Sequence, residues 1–300
     1  MKLDICLSRL RNHERSKAMT ATETATGSYK ASEMPLGLDK ELERLRWQAT
    51  FFWHKEGRNL RLLGLKDGMS ILEPGSGPGF ITELLLTDFP NSQVTALDVD
   101  ATLNQRAAEY LGSRFGERLK IVQGSISDSG LPAASFDFAY ARLIFQHLPD
   151  PAAAVREIYR VLKPGGRFVI YDVDSSLKPI IEPEASKEAE AIYQKLEAQQ
   201  RERGGNRAIG RRLWRLMVSA GFRNLDLEVL GASSDEVGQE MLDAIASAND
   251  PDRYKALVEL GRISATEADI LLANEERFEN TPDKYMMVFV LMVAGAKPLT

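Results

Sequence analysis

Ile71-Leu72-Glu73-Pro74-Gly75-Ser76-Gly77-Pro78-Gly79-Phe80 decides the fold of this chain. Residues 69–72 are a short apolar run suited to a buried strand, three glycines follow as a tight turn, and residues 79–87 read as the helix after it. A glycine-rich strand-to-helix turn lets a ligand approach the backbone, because no Cβ stands in the way and positive φ is open. The spacing is G-x-G-x-G. A dinucleotide fingerprint wants G-x-G-x-x-G and a P-loop ends in Gly-Lys-Ser/Thr, so neither fits. Glu73, at the end of the strand, would repel a pyrophosphate but suits a ligand with an ammonium or sulfonium charge, which points to S-adenosylmethionine.

Downstream, strand-like runs recur at 93–98, 119–123, 136–140 and 167–173, with helical stretches at 101–113 and 151–162. That alternation predicts a parallel sheet covered on both faces. The second run ends on Asp98, nineteen residues past Gly79, where a carboxylate can accept both ribose hydroxyls of a bound adenosine. Each residue also has a plain structural reading: Glu73 as a strand-end acid, Asp98 as a helix N-cap, the glycines as a turn. A polar helix at 184–203, a helix at 211–220 and a sixth strand at 225–230 come next. About fifty helical residues, 235–280, separate that strand from the last one at 285–293, and an insertion of that length reads as a lid or functional loop. The expected fold is α/β: a Rossmann-like, doubly wound, mostly parallel sheet of seven strands. Its core spans 66–230, a helical insertion 231–283 forms a lid, and 284–300 supply the last strand and C-terminus.

Upstream, Leu38, Leu42, Leu45, Ala49, Phe52, Leu60 and Leu63 form a seam at three- and four-residue steps that only Glu56 interrupts. One amphipathic helix within an N-terminal cap, 29–65, is expected, with Asp39 and Glu41 near its start and Gly64 past its end. Its other face carries Trp47, Phe51 and Trp53, read either as packing under a neighbour or as a wall of a substrate pocket. Residues 1–28 mix charges with a Thr/Ala-rich piece and lack a signal-peptide core, so a disordered tail is expected, with Met19 an alternative start.

Composition narrows the partners. A net charge of −5 and a pI near 5.5 give no basic field for phosphate backbones, so nucleic acid is not expected. Cys6 is the one cysteine, which excludes an intramolecular disulfide and a cysteine-based metal cluster. His13, His54 and His147 have no ligand spacing, so no metal is expected, and no apolar run reaches membrane-spanning length. The expectation is a cytoplasmic protein acting on a small molecule, with homo-oligomerisation left open.

The blocks Leu72-Glu73-Pro74-Gly75-Ser76-Gly77-Pro78-Gly79, Leu97-Asp98-Val99-Asp100, Ser135-Phe136-Asp137, His147-Leu148-Pro149-Asp150-Pro151 and Val161-Leu162-Lys163-Pro164-Gly165-Gly166 occur in order over residues 66–230. Together they resemble the class I S-adenosylmethionine-dependent methyltransferases, nearest the small-molecule branch of the ubiquinone and menaquinone biosynthesis type. The segment around Tyr29 with Glu43-Arg44-Leu45 and Gln48 resembles the N-terminal helix of bacterial natural-product members.

The resemblance implies roles. Glu73 and the backbone of Gly75 and Gly77 would hold the methionine part of S-adenosylmethionine, with Ser76 and Gly79 in the same cradle. Asp98 would take the ribose, with Val99 against the adenine and Ile126 over its face. Ser125 stands where members often carry an acid for the adenine amino group. Arg142 would lie beside the methionine end, and Gln48 belongs to the same cofactor-binding set. His147 reads as a general base or as a cap of the helix starting at Pro151. Tyr29 reads as a cation–π cover of the sulfonium or as an anchor of the tail. Asp172 and Asp174 read as acceptor-binding groups at the pocket mouth or as solvated acids. The implied activity is methyl transfer to an oxygen, carbon or nitrogen of a small, largely apolar metabolite. Alternatives are a protein that binds the cofactor without methylating, and a nicotinamide-dependent oxidoreductase, which should show the longer glycine spacing and a Tyr-Lys pair. A bare sheet leaves the methyl open to water, so residues 29–63 and 235–280 are expected to pack together over the strand ends. Phe51, Phe52, Met241, Leu242, Ile245, Leu257 and Leu260 would form the acceptor pocket, with Tyr29 near the methyl.

Overall fold

The computed structural model describes residues 27–29, 34, 36–238 and 251–300. Five parallel strands, β1 (Ser70–Pro74), β2 (Gln93–Asp98), β3 (Leu119–Gln123), β4 (Phe136–Arg142) and β5 (Leu162–Asp172), lie in the order β3-β2-β1-β4-β5. The sheet continues through β8 (Tyr285–Ala296), antiparallel to β5 and to β7 (Arg223–Ser233). A three-residue strand, β6 (Ile180–Glu182), pairs with the start of β8 and brings the sheet to eight strands. Because β1 pairs with β2 on one side and β4 on the other, the strand order reverses there. In such sheets the crevice beyond the carboxyl ends at the reversal is where ligands bind.

The pleat sorts the core into two faces. Ile71, Phe138, Tyr140, Val169 and Tyr171 point to one face, beneath α1 (Gly37–Phe51) and α2 (Trp53–Leu62). Leu72, Ala139, Ala141, Phe168 and Ile170 point to the other, where α5 (Pro151–Val161) and α7 (Gly210–Ala220) cover them. Near-continuous apolar runs in the parallel strands follow from this two-sided burial.

The single N-terminal helix expected from the seam is two helices. The break is at Phe52, two residues after Thr50, whose hydroxyl donates to the carbonyls of Arg46 and Trp47 at 3.3 and 3.0 Å, a contact that bends helices. Glu56, read as an interruption of the seam, is fully buried. The sixth strand, expected at 225–230, runs three residues further, so the insertion begins at α8 (Ser234–Val237).

The later helices of the insertion have a partner that the sequence reading did not name. Tyr254 and Leu257 of α9 (Pro251–Glu259), with Ala268 and Leu271 of α10 (Ala265–Glu279), close on Ala189 and Ile192 of α6 (Lys187–Glu202). The helix that looked polar therefore shares a buried cluster with α9 and α10. The described insertion residues also meet the N-terminal helices: Phe51 lies beside the buried pair Phe278 and Met286, Lys55 Nζ donates to Glu236 at 2.6 Å, and Arg253 lies in the field of Glu41 and Arg44. Leu260 is exposed, and Met241, Leu242 and Ile245 lie outside the described residues, as does the tail 1–26.

Candidate functional site

The glycine turn closes on both neighbours and opens in the middle. A Cβ on Gly75 would strike the Ile144 side chain, and one on Gly79 would come 2.9 Å from Leu111 Cδ1 on α4 (Ala101–Leu111). At Gly77, with φ +54°, a Cβ would meet nothing within 4 Å. Gly75 and Gly79 thus allow close packing, while Gly77 borders open space at the strand ends. Beside it, Ser76 Oγ is buried without a hydrogen-bond partner. Gly77→Ala should lower stability by about 1–2 kcal/mol through its left-handed conformation. It should also weaken any ligand resting on the turn by more than that strain alone moves the denaturation midpoint, which calorimetry and urea unfolding would compare.

Asp98 anchors the turn from β2. Its Oδ2 accepts the Gly77 N–H at 2.8 Å and its Oδ1 the Asp100 N–H at 2.8 Å, which leaves each oxygen a second acceptor site. Burial pushes its carboxyl above the ordinary range. The N-cap of α4 is Asp100, which accepts from Thr102 and Leu103, so Asp98 is not spent as a cap. Val99 beside it leaves 47% of its surface exposed, a large apolar group open to solvent next to Asp98. Ser125 Oγ accepts the Ser127 N–H at 3.2 Å, and Ile126 is buried in the cluster with Leu97.

Glu73, the penultimate residue of β1, is buried. Thr82, one turn into α3 (Phe80–Asp88), donates its hydroxyl at 2.5 Å. Burial, with the Asp98 charge adding, pushes the Glu73 carboxyl up to about 8, while Arg142 and the Thr82 bond act the other way. At about 8 this buried acid is mostly protonated at pH 7, and a cation placed beside it would favour its ionised form. Arg142 itself is committed: its Nε and Nη2 donate to the two Glu56 oxygens at 2.8 Å each, and Nη2 also to the Gln48 carbonyl at 2.7 Å. Its guanidinium lies over the Tyr171 ring, 4.7 Å from the centroid, and the Tyr140 hydroxyl donates to Glu56 at 2.6 Å. Gln48 therefore enters the site through its backbone, holding the arginine whose charge reaches Glu73.

Residues 27–29 form a strap fastened to the turn that carries His147. Ser28 N–H donates to the His147 carbonyl at 3.0 Å, Ser28 Oγ and His147 Nδ1 are 3.0 Å apart, and the Tyr29 and His147 rings lie 5.3 Å apart. The Tyr29 hydroxyl donates to Glu41 at 2.7 Å, and Arg44 grips the same carboxylate with two bonds of 2.9 and 2.6 Å. Burial and Glu41 raise the Tyr29 hydroxyl, and Asp98 is close enough to add to the shift. Burial, with Arg207 and Arg44, lowers His147 to about 4, so its imidazole is neutral at pH 7. It does not cap the helix at Pro151; the Asp150 side chain does, accepting from Ala153 at 3.0 Å.

Asp172 and Asp174 are neither solvated nor open to an acceptor. Asp172 is fully buried and holds the turn that carries His147, accepting from Gln146 at 3.2 Å and Val173 at 2.8 Å; burial raises it to about 7. Asp174 is paired with Arg211, whose N–H, Nε and Nη2 donate at 2.8, 3.0 and 2.7 Å. Glu56, Thr82 and Glu41 were missed as site groups. Glu56 carried one signal, a charge at a seam position. Among the described residues no group of three or more His, Cys, Asp or Glu is placed to hold a metal, and no helix is long and apolar enough to cross a membrane.

Comparison with known proteins gives the fold a context. Residues 72–170 match the family described as a methyltransferase domain. The sterol 24-C-methyltransferase erg6 of Aspergillus fumigatus is 33% identical over 111 residues, covering 37% of this chain and 29% of the sterol enzyme. An uncharacterized methyltransferase of Bacillus subtilis, YdaC, is 27% identical over 166 residues, covering 55% of this chain and 78% of that protein. Among solved structures, Haemonchus contortus phosphoethanolamine N-methyltransferase 2 in complex with S-adenosyl-L-methionine superposes with a TM-score of 0.54 at 20% identity. That likeness, over 82% of this chain and 53% of the other, is one of fold. The chain spans less than a third of the sterol enzyme it matches.

Proposed function

We infer that this chain, whose residues 72–170 match the methyltransferase-domain family, is a class I S-adenosylmethionine-dependent methyltransferase that moves a methyl group from S-adenosylmethionine to an oxygen, carbon or nitrogen of a small, largely apolar molecule. The observation that carries this reading is the pairing of two buried acids with an open turn. Glu73, near the end of β1, accepts the Thr82 hydroxyl, Asp98 keeps spare acceptor capacity at the end of β2, and Gly77, whose N–H Asp98 accepts, borders open space.

The residues fit the cofactor. Glu73 would take its ammonium, Asp98 its ribose hydroxyls, Val99 the adenine face, and Ser76 Oγ supplies an unspent polar group in the cradle. Ser125 gives the adenine edge a neutral acceptor where a carboxylate would bind more strongly. S-adenosylmethionine, when bound, supplies an activated methyl. The chain's part is then to place an acceptor atom in line and exclude water, which can lower a barrier by about 7–11 kcal/mol. Tyr29 and the strap roof the site from the N-terminal side, and the insertion helices close it from the other. His147 is a positioning residue here, since a group with a value near 4 is a weak base at neutral pH. The setting we favour is biosynthesis in the cytoplasm.

The test uses Asp98→Ala. Two hydrogen bonds to a charged acceptor, each worth about 1.5–3 kcal/mol, are lost with it, so affinity for S-adenosylmethionine should fall by tenfold or more while the protein stays folded. Unchanged calorimetric affinity in the folded variant would refute the cofactor site. Release of S-adenosylhomocysteine on addition of small acceptors, abolished in the same variant, would establish the transfer.

A further inference from the structure

Three arginines from separate elements act electrostatically on the groups around His147 and Glu41: Arg207 and Arg44 on His147, and Arg253 on Glu41. Arg44 is on α1, Arg253 on α9, and Arg207 on the loop between α6 and α7. That loop is fixed to the strand ends: Asn206 N–H donates to the Gln146 carbonyl at 2.7 Å, and Ser175 N–H to the Arg207 carbonyl at 2.8 Å. It is also packed against the strap, since a Cβ on Gly205 would lie 2.5 Å from Ser28 Oγ and 3.0 Å from the Gln146 carbonyl. Arg207 is thus held where the chain leaves β4 and β5. Its side chain is exposed, and among the described residues its guanidinium makes no ion pair or hydrogen bond.

The surrounding charges do not neutralise this corner. His147 and Asp172 both feel Arg207; the first is neutral at pH 7 and the second, raised to about 7, already takes two backbone N–H groups. Arg44 is gripped by Glu41, whose field together with that of Arg44 reaches Arg253. The nearby Glu275 accepts from the hydroxyls of Tyr193 at 3.1 Å and Tyr254 at 3.2 Å. Arg44 and Arg253 thus share the Glu41 carboxylate, while the Arg207 guanidinium, which acts on His147 and Asp172, has no carboxylate bonded to it among the described residues.

We infer that the methyl acceptor carries an anionic oxygen group, a carboxylate or a phosphate monoester, and that Arg207 binds it. This rests on the methyl-transfer reading above. A planar guanidinium matches either group with two parallel N–H bonds, and a largely apolar acceptor needs one such contact to fix its orientation. The apolar body then extends toward Tyr29 and the strap, with the anion at the strand ends.

The full chain, saturated with S-adenosylhomocysteine, would be titrated by calorimetry with decanoate, decyl phosphate and decanol. One or both anions should bind about tenfold or more tightly than the alcohol, the better of the two identifying the group. Arg207→Gln, an exposed change, should erase that preference and leave affinity for S-adenosylhomocysteine as it was. Equal binding of acid and alcohol, no binding of either anion, or an undiminished preference in the variant would overturn the inference. Failure of S-adenosylhomocysteine itself to bind would instead refute the cofactor reading, so the two failures are distinguishable.

Discussion

Glu73→Gln is expected to make the ligand-free protein more stable at neutral pH and to cripple its hold on the cofactor. Burial raises Glu73 from its ordinary 4.5 to about 8, so ionising it opposes folding. The stability that goes with the protonated form is fully present below 4.5 and is lost as the pH rises toward 8. Gln is neutral throughout and can still accept from Thr82, so the variant should gain about 2–3 kcal/mol over wild type at pH 7, with little gain near pH 4. Cofactor binding should move the other way. Losing a charged partner for the ammonium costs about 1.5–3 kcal/mol, roughly ten- to a hundredfold in affinity. Wild-type affinity should weaken on acidification below about pH 8, as protons compete for Glu73, and the variant should show no such slope. Urea unfolding and calorimetry across pH check both; a variant less stable than wild type at pH 8, or one with undiminished affinity, would contradict this role.

Glu56→Ala should be the most destabilising of the changes considered, by about 3–5 kcal/mol, because it leaves the Arg142 guanidinium in the interior without its carboxylate. Arg142 keeps 7% and Glu56 none of its side-chain exposure. Replacing both residues by apolar ones of similar volume should restore much of the loss, because desolvating two charges offsets most of what their attraction returns. Urea midpoints at constant slope would show this, and a single variant as stable as the double one would mean that the pair is not the link between the N-terminal helices and β4. The consequence for function is indirect. Arg142 favours the ionised form of Glu73, so a displaced guanidinium should also raise the pH at which the cofactor begins to bind.

What the sequence made legible was local or periodic. The strand, glycine turn and helix around Gly77 follow from residues within a few positions of one another, and the parallel core follows from its rhythm. Glu56 was opaque because its meaning lies in Arg142, 86 residues away, and a seam position records only that something apolar is wanted there. Asp172 and Asp174 were misread for a related reason: a strand-end acid can face a ligand or tie down the next turn, and only Arg211 and the Gln146 amide decide between them. Asp98 and Asp100 pose the same choice in reverse, since either could have capped α4 and the structure gives that task to Asp100. The insertion shows the limit of amphipathic patterns, which announce a face to be buried without naming the partner. Here that partner is α6, whose own apolar stripe of Ala189 and Ile192 was too narrow to stand out.

Titration of the wild-type chain with S-adenosylmethionine and, separately, with NADH tests the central claim most directly. Saturable binding of S-adenosylmethionine at one site, with none of NADH, is the result expected from an open turn at Gly77 that follows Glu73 and is held by Asp98. Binding of NADH, or no heat with S-adenosylmethionine at any pH up to 8, would contradict it.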